Sequence, residues 1–586
     1  MKRKKSRLHG SLDAVRAPGI VAAAALMVCT GASAFQIETD NPDVEMRFDN
    51  SLRYNLGLRA GKPSAAALNT ADFDESTGKF KRGDVVTNRI DLLSEFDMVY
   101  KKRNGFRVSA AAWYDAAYSR SVRPNAAFDS PFGNTSASYP GGRYTDFVKR
   151  WNAGPSGEIL DAFVFGGVDL GSVPLDVKFG QHNVYWGQSL FSFTHGVSHA
   201  QGPVDLRKAF ANPGVEAKEL FLPLNQISAT AQLAPNFSVA GQYMLDWAPS
   251  RLPDGGTYLG LSDYITAGGG TYVYNQAAVD ALGAMMGGLP PGTLAPVPFA
   301  GIPVKPKTRG DWGIRASWRP EALDGTLGFY YREYTDKLPQ IVAGGIRPDG
   351  LPSDIRLSYL EGAKLFGVSL AKEFGGVSVG SELVYRKNGG LLMSQATVAG
   401  QSPRGNTIHA LVNALTLLPP TSIWDTASIA AELTYSRLDK VTANAQNYNG
   451  LGYGCLGPTP AGPAPSNDKM DGCATKDNWG FGIKFEPVWN QAFTGVDLKM
   501  PIVFQTGLKG NSPVLLGGYQ GNGNYSIGLT AEVRNQYTVS LNYNSYFTKH
   551  KSSVNPANGQ PSIGAINGVG YIADRDWISL TFKAAF

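Results

Sequence analysis

Histidine and cysteine are scarce in this chain, at six and three of 586 residues. One cysteine, Cys29, stands in an N-terminal leader, which leaves Cys455 and Cys473 and room for a single disulfide. Five histidines remain beyond the leader (His182, His195, His199, His409 and His550), few for a histidine-dependent hydrolase. Long apolar runs are missing too. Outside the leader no stretch approaches eighteen uninterrupted apolar residues, which excludes a membrane-spanning helix. An excess charge of one sign is also lacking. Taking the leader's six Lys/Arg and one acidic residue from totals of 54 and 48 leaves 48 and 47, so nothing points to a nucleic-acid partner.

The leader itself has three parts. A basic stretch (Lys2, Arg3, Lys4, Lys5, Arg7, Arg16) precedes "GIVAAAALMVCTG" and then Ala32-Ser33-Ala34 before Phe35, the pattern of a secretory signal over residues 1 to 34. A lipoprotein signal with Cys29 acylated is the alternative, but Val28 precedes that cysteine where a small residue is wanted. An exported chain without an apolar helix is soluble in the periplasm, secreted, or an outer-membrane barrel.

What is abundant favours the barrel: 69 Gly, 26 Tyr, 28 Phe and 10 Trp describe many strands with aromatic ends and glycine turns. Met46, Phe48, Leu52, Tyr54, Leu56 and Leu58 alternate with Arg47, Asp49, Ser51, Arg53, Asn55 and Arg59 over a length that crosses a bilayer at a tilt. The next alternation sets Ile90, Leu92, Phe96, Met98 and Tyr100 against Arg89, Asp91, Glu95, Asp97 and Lys101, and Arg103-Asn104-Gly105 turns it back, with Asn-Gly supplying positive φ. Tight connections recur near 169–174, 234–236, 319–325, 374–376, 418–422, 489–494 and 535–536. Long segments at 120–157, 185–217, 249–308, 438–477 and 550–573 separate the hairpins. The pattern predicts an all-β, transmembrane antiparallel barrel of about 18 strands, with short periplasmic turns and long extracellular loops, as one domain over 35–586 in the outer membrane of a Gram-negative bacterium. The chain ends "WISLTFKAAF", with Ile578, Leu580, Phe582 and Phe586 on one face. Such a strand closes a barrel against its first strand, meets outer-membrane lipid, and carries the terminal aromatic that barrel-assembly machinery recognises.

From residue 176 the segments "DVKFGQHNVYWGQSLF" and "GPVDLRKAFANPGVEAKELFLPLNQI" resemble a family of outer-membrane proteins catalogued as domain-of-unknown-function family 1302. The matching elements are Gly180-Gln181-His182, Trp186-Gly187 and Pro203-Val204-Asp205, with Gln181 where arginine is usual and His182 where glutamine is. The resemblance implies a porin-like barrel that moves apolar or amphipathic solutes together with a companion outer-membrane lipoprotein and an inner-membrane exporter.

Few residues point to chemistry, and neither a cofactor nor a metal is expected. His195 and His199 are four apart, but Gly196 stands where a zinc helix needs glutamate. "GQSLF" lacks the second glycine of a nucleophile elbow. Cys455 and Cys473, eighteen apart in an oxidising compartment, form a disulfide worth roughly 3 kcal/mol on the chain-entropy model. The lumen is expected to carry Arg47, Arg53, Arg89, Asp91, Glu95, His182, Glu382 and Arg386, with segment 185–217 folding inward to present Trp186, Phe191 and Phe193 to solutes. A channel is the leading function. A barrel hydrolase, and an adhesin or scaffold acting through its long loops, are the alternatives.

Overall fold

A computed structural model describes residues 35–586 except 71, 120–121, 123–128, 131–132, 135–137, 212–216, 286, 302, 458–463, 555–558 and 567–571. The leader, residues 1–34, lies outside the described residues. Eighteen strands form the wall. The first nine are β1 (Val44–Arg59), β2 (Val85–Tyr100), β3 (Asn104–Asp115), β4 (Ser156–Leu170), β5 (Val173–His182), β6 (Leu224–Ala234), β7 (Phe237–Met244), β8 (Trp312–Trp318) and β9 (Gly325–Tyr334). The rest are β10 (Ala363–Phe374), β11 (Val377–Gly390), β12 (Arg404–Leu418), β13 (Thr426–Ala443), β14 (Asp477–Phe493), β15, β16 (Gly523–Val533), β17 (Tyr537–Phe547) and β18 (Trp577–Ala585). Strand β15 runs as Val496–Lys499 and Ile502–Lys509, broken where Pro501 has no N–H to give to the ladder.

Each strand pairs antiparallel with its chain neighbour, and β18 pairs with both β17 and β1, so the sheet closes. In the closing seam Leu58 faces Ile578, Leu56 faces Leu580 and Tyr54 faces Phe582. Phe586 ends the seam: its N–H donates to the Asn50 carbonyl at 2.9 Å and its own carbonyl accepts from Asn50 N–H at 2.6 Å. Closure leaves no edge, and the alternation then sorts side chains by medium. Leu383, Val412 and Ile527 are 58%, 52% and 49% exposed on the outer face, while the residues flanking them in sequence point inward. No helix among the described residues is long and apolar enough to cross a membrane; strands do it here. The outward apolar belt on a closed antiparallel barrel places the protein in the outer membrane.

One rim carries the short turns at 101–103, 171–172, 235–236, 319–324, 375–376, 419–425, 494–495 and 534–536, and the other carries all the long connections. At the first turn the positive φ values belong to Lys101 (50°) and Lys102 (57°), not to Asn104 and Gly105, which already pair with Tyr100 and Val99 in the ladder. Gly105 is needed for a different reason: a Cβ there would stand 2.0 Å from the Met98 carbonyl oxygen.

Over β1 to β4 the long connections interlock. Arg59, on the polar face of the first alternation, is fully buried and donates to the carbonyls of Thr77 (2.8 Å) and Phe80 (2.6 Å) and to Asp574 (2.9 Å). Arg575 donates to the carbonyls of Tyr258 (2.8 Å) and Gly260 (2.6 Å). The Asp263 carboxylate accepts from the N–H groups of Glu75 (2.8 Å) and Ser76 (3.2 Å), while Glu75 accepts from Ser138 N–H at 2.5 Å. Burial pushes the Asp263 carboxyl up to about 6, and burial together with the Asp263 charge holds Glu75 well above the usual carboxylate range.

Both groups bind protons more tightly in the folded junction than in an unfolded one. The Asp263 contribution is therefore fully present below about pH 4 and is lost as pH rises through 6, and that of Glu75 is likewise lost as pH rises through its raised value. Amide exchange at residues 74–77 and 254–263 is expected to be several-fold slower at pH 5 than at pH 8 after correction for intrinsic rates; equal protection at both would disprove the linkage.

Candidate functional site

The connection between β5 and β6, residues 183–223, reaches the inward-facing side chains of the opposite wall. Glu382 on β11 accepts three backbone N–H groups of this segment, from Gln188, from Ser189 at 3.2 Å and from Val197 at 2.6 Å. Glu432 on β13 accepts three more, from Leu190 at 2.6 Å, Phe191 at 3.2 Å and Ser192 at 2.8 Å. Asn413 on β12 donates to the Gln188 carbonyl at 2.6 Å. The segment's carbonyls are taken by arginines: Arg332 on β9 donates to Val197 (3.0 Å) and His199 (2.7 Å), and Arg386 on β11 donates to Thr194. Two carboxylates and two guanidiniums, all buried, thus grip one stretch of backbone, each charge compensated by groups it bonds.

Two glycines make the grip sterically possible. Gly187 adopts φ +113°, and a Cβ there would lie 2.4 Å from a Glu382 oxygen; one on Gly196 would lie 3.0 Å from the other oxygen. Gly196, which argued against a zinc helix, is therefore a seat for Glu382. His195 and His199 lie in turns and do not converge: His195 Nε2–H donates to the Gly517 carbonyl (2.8 Å), leaving Nδ1 to accept from His409 Nδ1–H (3.0 Å). The Thr407 hydroxyl donates to His409 Nε2 at 2.8 Å. His199 stands edge-on to Tyr334. Among the described residues no group of three or more His, Cys, Asp or Glu is placed to hold a metal.

The remaining residues read from the sequence fall in several places. Trp186 is 4% exposed and packs with Val197, Tyr330, Leu365 and Val384 between segment and wall; it is not presented to solutes, because its ring fills the gap that the clamp closes. Phe191 and Phe193 do line a cavity. His182 is 2% exposed at the end of β5, its Nδ1 at 2.9 Å from the Gly180 carbonyl and its Nε2 at 2.7 Å from Ser228 Oγ, so it belongs to the wall. Gln181 donates to the Ile159 carbonyl at 3.1 Å. Arg53 and Arg89 both reach Asp91 (3.2 and 2.8 Å), Arg107 bridges Glu95, Asp97 and Asp161, and Arg47 pairs with Asp49 at 2.7 Å. Cys455 and Cys473 are joined, Cα to Cα 5.6 Å, in a loop whose Leu456 and Asp471 line the same cavity as Phe191.

Two cavities flank residues 204–211 and 217–221. Asp205 caps the short helix Leu206–Ala211, accepting from Lys208 N–H at 3.1 Å, and Val204, Leu206, Leu220 and Phe221 pack with Phe193, Phe210, Leu515 and Leu516 as an apolar septum. On the β1–β4 side lies a cavity of about 860 Å³, lined by six basic side chains (Arg53, Arg89, Arg207, Lys208, Arg251, Lys583) and six acidic ones. On the β13–β17 side lies one of about 900 Å³, lined by Phe191, Phe193, Phe210, Leu261, Leu392 and Leu515 with a polar strip of Thr434, Gln505 and Asn524.

The family model described as "Protein of unknown function (DUF1302)" matches residues 16–586. The chain is a member of the DUF1302 family. No curated protein matches it. Among solved structures, this DUF1302 barrel is similar to Pseudomonas aeruginosa OpdK with vanillate, at 9% identity over 92% of this chain and 98% of that one, TM-score 0.37. It is also similar to the outer membrane channel DcaP of Acinetobacter baumannii (8% identity, 95% and 100% covered, TM-score 0.34) and to Pseudomonas putida OprB (10%, 93% and 94%, 0.35). Likeness at that level leaves the solute of the DUF1302 barrel unspecified.

Sequence reasoning missed Glu432, Arg332, Asn413 and the His195–His409 pair. One signal was present: Glu382-Leu383-Val384-Tyr385 and Glu432-Leu433-Thr434-Tyr435 repeat the same inward glutamate on two strands.

Replacing both Glu382 and Glu432 by alanine leaves six N–H groups of the segment without their acceptors. Hydrogen exchange at residues 188–192 and 197 is expected to accelerate on the order of a hundredfold, about 2.7 kcal/mol, with β1–β4 unchanged. Unaltered exchange would mean that packing alone holds the segment.

Proposed function

We propose that this DUF1302 barrel is a channel, not an enzyme, that passes small amphipathic or hydrophobic molecules through the outer membrane, with segment 185–217 narrowing its lumen. The observation that carries this reading is the clamped segment with a cavity beside it that Phe191, Phe193, Phe210 and Leu515 line and that has no lysine or arginine among the described residues of its lining. Such a cavity repays the desolvation of an apolar solute, which a water-filled mixed-charge pore does not. The short-turn rim faces the periplasm in this reading. A companion lipoprotein and an inner-membrane exporter, implied by the family resemblance, would meet the barrel there.

The test is single-channel conductance in a planar bilayer, for the intact chain and for a deletion of 190–200. The expected result is a small steady current that rises several-fold on deletion. Equal currents would overturn the constriction, and silence from both would overturn the channel.

One observation favours a hydrolase as second reading: His182 Nε2 lies 2.7 Å from Ser228 Oγ, on adjacent strands. Against it, neither residue lines either cavity. A fluorophosphonate probe is expected to leave Ser228 unlabelled; labelling that Ser228→Ala abolishes would reverse that conclusion.

A further inference from the structure

The β13–β17 cavity has a chemistry that narrows the solute class further, and this step rests on the channel reading above. No lysine or arginine is among the described residues that line it. Its ionisable side chains are acidic or held neutral. Glu432 is bonded to the segment's backbone, Asp471 pairs with Lys551 at 2.6 Å, and His195 donates its Nε2–H to the Gly517 carbonyl and accepts a hydrogen bond from His409. An anion entering here would lose its water and find no lysine or arginine in the described lining, with Glu432 beside it and Lys551 already paired to Asp471.

Two residues of the same wall, Asn522 and Asn524, each bury a polar atom that has no partner. Asn522 is 6% exposed, with Oδ1 accepting from Thr548 at 2.5 Å, and its Nδ2 has no hydrogen-bond partner. Asn524 donates to Gln505 at 3.1 Å, and its buried Oδ1 has none. Buried amide atoms are rarely left unpaired, and here one is a donor and the other an acceptor. A hydroxyl or amide can partner either atom, whereas a carboxylate can use only the donor. The apolar side opposite, Phe193, Phe210 and Leu515, covers a hydrocarbon body, and about 900 Å³ suits a small organic molecule.

We propose that this chamber is a binding site for uncharged amphipathic molecules, their hydrogen-bonding group set on Asn522 and Asn524 and their apolar body against Phe193, Phe210 and Leu515, and that it discriminates against organic anions of the same size.

The test uses two probes of one shape, 1-naphthol and 1-naphthoate, in equilibrium dialysis at pH 7.5 against the full-length protein in nanodiscs, with empty nanodiscs subtracted. The expected result is saturable binding of 1-naphthol at least tenfold tighter than that of 1-naphthoate. Asn522→Leu combined with Asn524→Leu weakens 1-naphthol at least fivefold, and Leu515→Arg, in a loop where misfolding of the wall is not at stake, reverses the order of the two probes. Equal or tighter binding of 1-naphthoate, no saturable 1-naphthol, or indifference to both variants would overturn the proposal. Conductance of the same preparation separates the two readings: current without the preference leaves the channel and removes this site, and preference without current does the opposite.

Discussion

Hydrocarbon offers no hydrogen-bond partners, and every backbone group of a chain that crosses it must be satisfied within the chain. That constraint fixes the closure of β18 on β1, from Leu58 opposite Ile578 down to the reciprocal bonds between Phe586 and Asn50. Closure in turn inverts the usual arrangement of a folded protein, with apolar side chains outside and polar ones within. Glu382, Arg386 and Glu432 point inward because Leu383, Tyr385 and Leu433 must point outward. A soluble fold would have to hold such carboxylates at its surface; here the interior is where they belong, and they become available to grip whatever enters it.

What enters is residues 187–199. A loop crossing a wet lumen has little apolar surface to hold it in place, and conformational entropy favours its release. The wall answers with side chains on both halves of the loop's peptide bonds, carboxyl groups for the N–H groups and guanidiniums for the carbonyls. Each buried charge is strongly destabilising alone and well compensated in the set, so the arrangement is specific: displacing the segment leaves four charges without their partners. Gly187 and Gly196 complete it by letting Glu382 approach the backbone directly. Trp186 then seals the same junction with apolar contact against Tyr330 and Val384, so that charge and packing hold the segment together.

The wall was legible in the sequence because its period is two and local. The alternation from Met46 to Arg59 and the turns near 171, 235, 375 and 535 needed no knowledge of distant residues. Where a turn residue also meets a distant carbonyl, local rules mislead: Asn104-Gly105 has the look of a hairpin turn, yet Gly105 is there to clear Met98. The clamp was only half legible. Glu382 and Arg386 stood out as a charged pair on one strand, but nothing adjacent to Glu432 or Arg332 announces that a loop more than one hundred residues away rests on them. Trp186 carries the same limit in another form. An aromatic in a long loop reads as exposed until the partners that bury it are known, and those partners lie on β9, β10 and β11.

The septum stands between two cavities that differ in what they offer a solute. On the β1–β4 side charges of both signs already satisfy one another: Arg53 and Arg89 share Asp91, Arg107 bridges three carboxylates, and Arg251 is held by Glu158 with Asp205 near it. A solute there competes with existing ion pairs for most of the charged contacts, so this side strengthens the wall as well as lining a cavity. On the β13–β17 side the carboxylates are occupied, cations are absent from the described lining, and aromatic and aliphatic surface lies open to the cavity. Selection needs groups not already committed to the fold. The second side has them, and its composition follows from the clamp, since the Glu432 oxygens are taken up by the same backbone that brings Phe191 and Phe193 into the cavity.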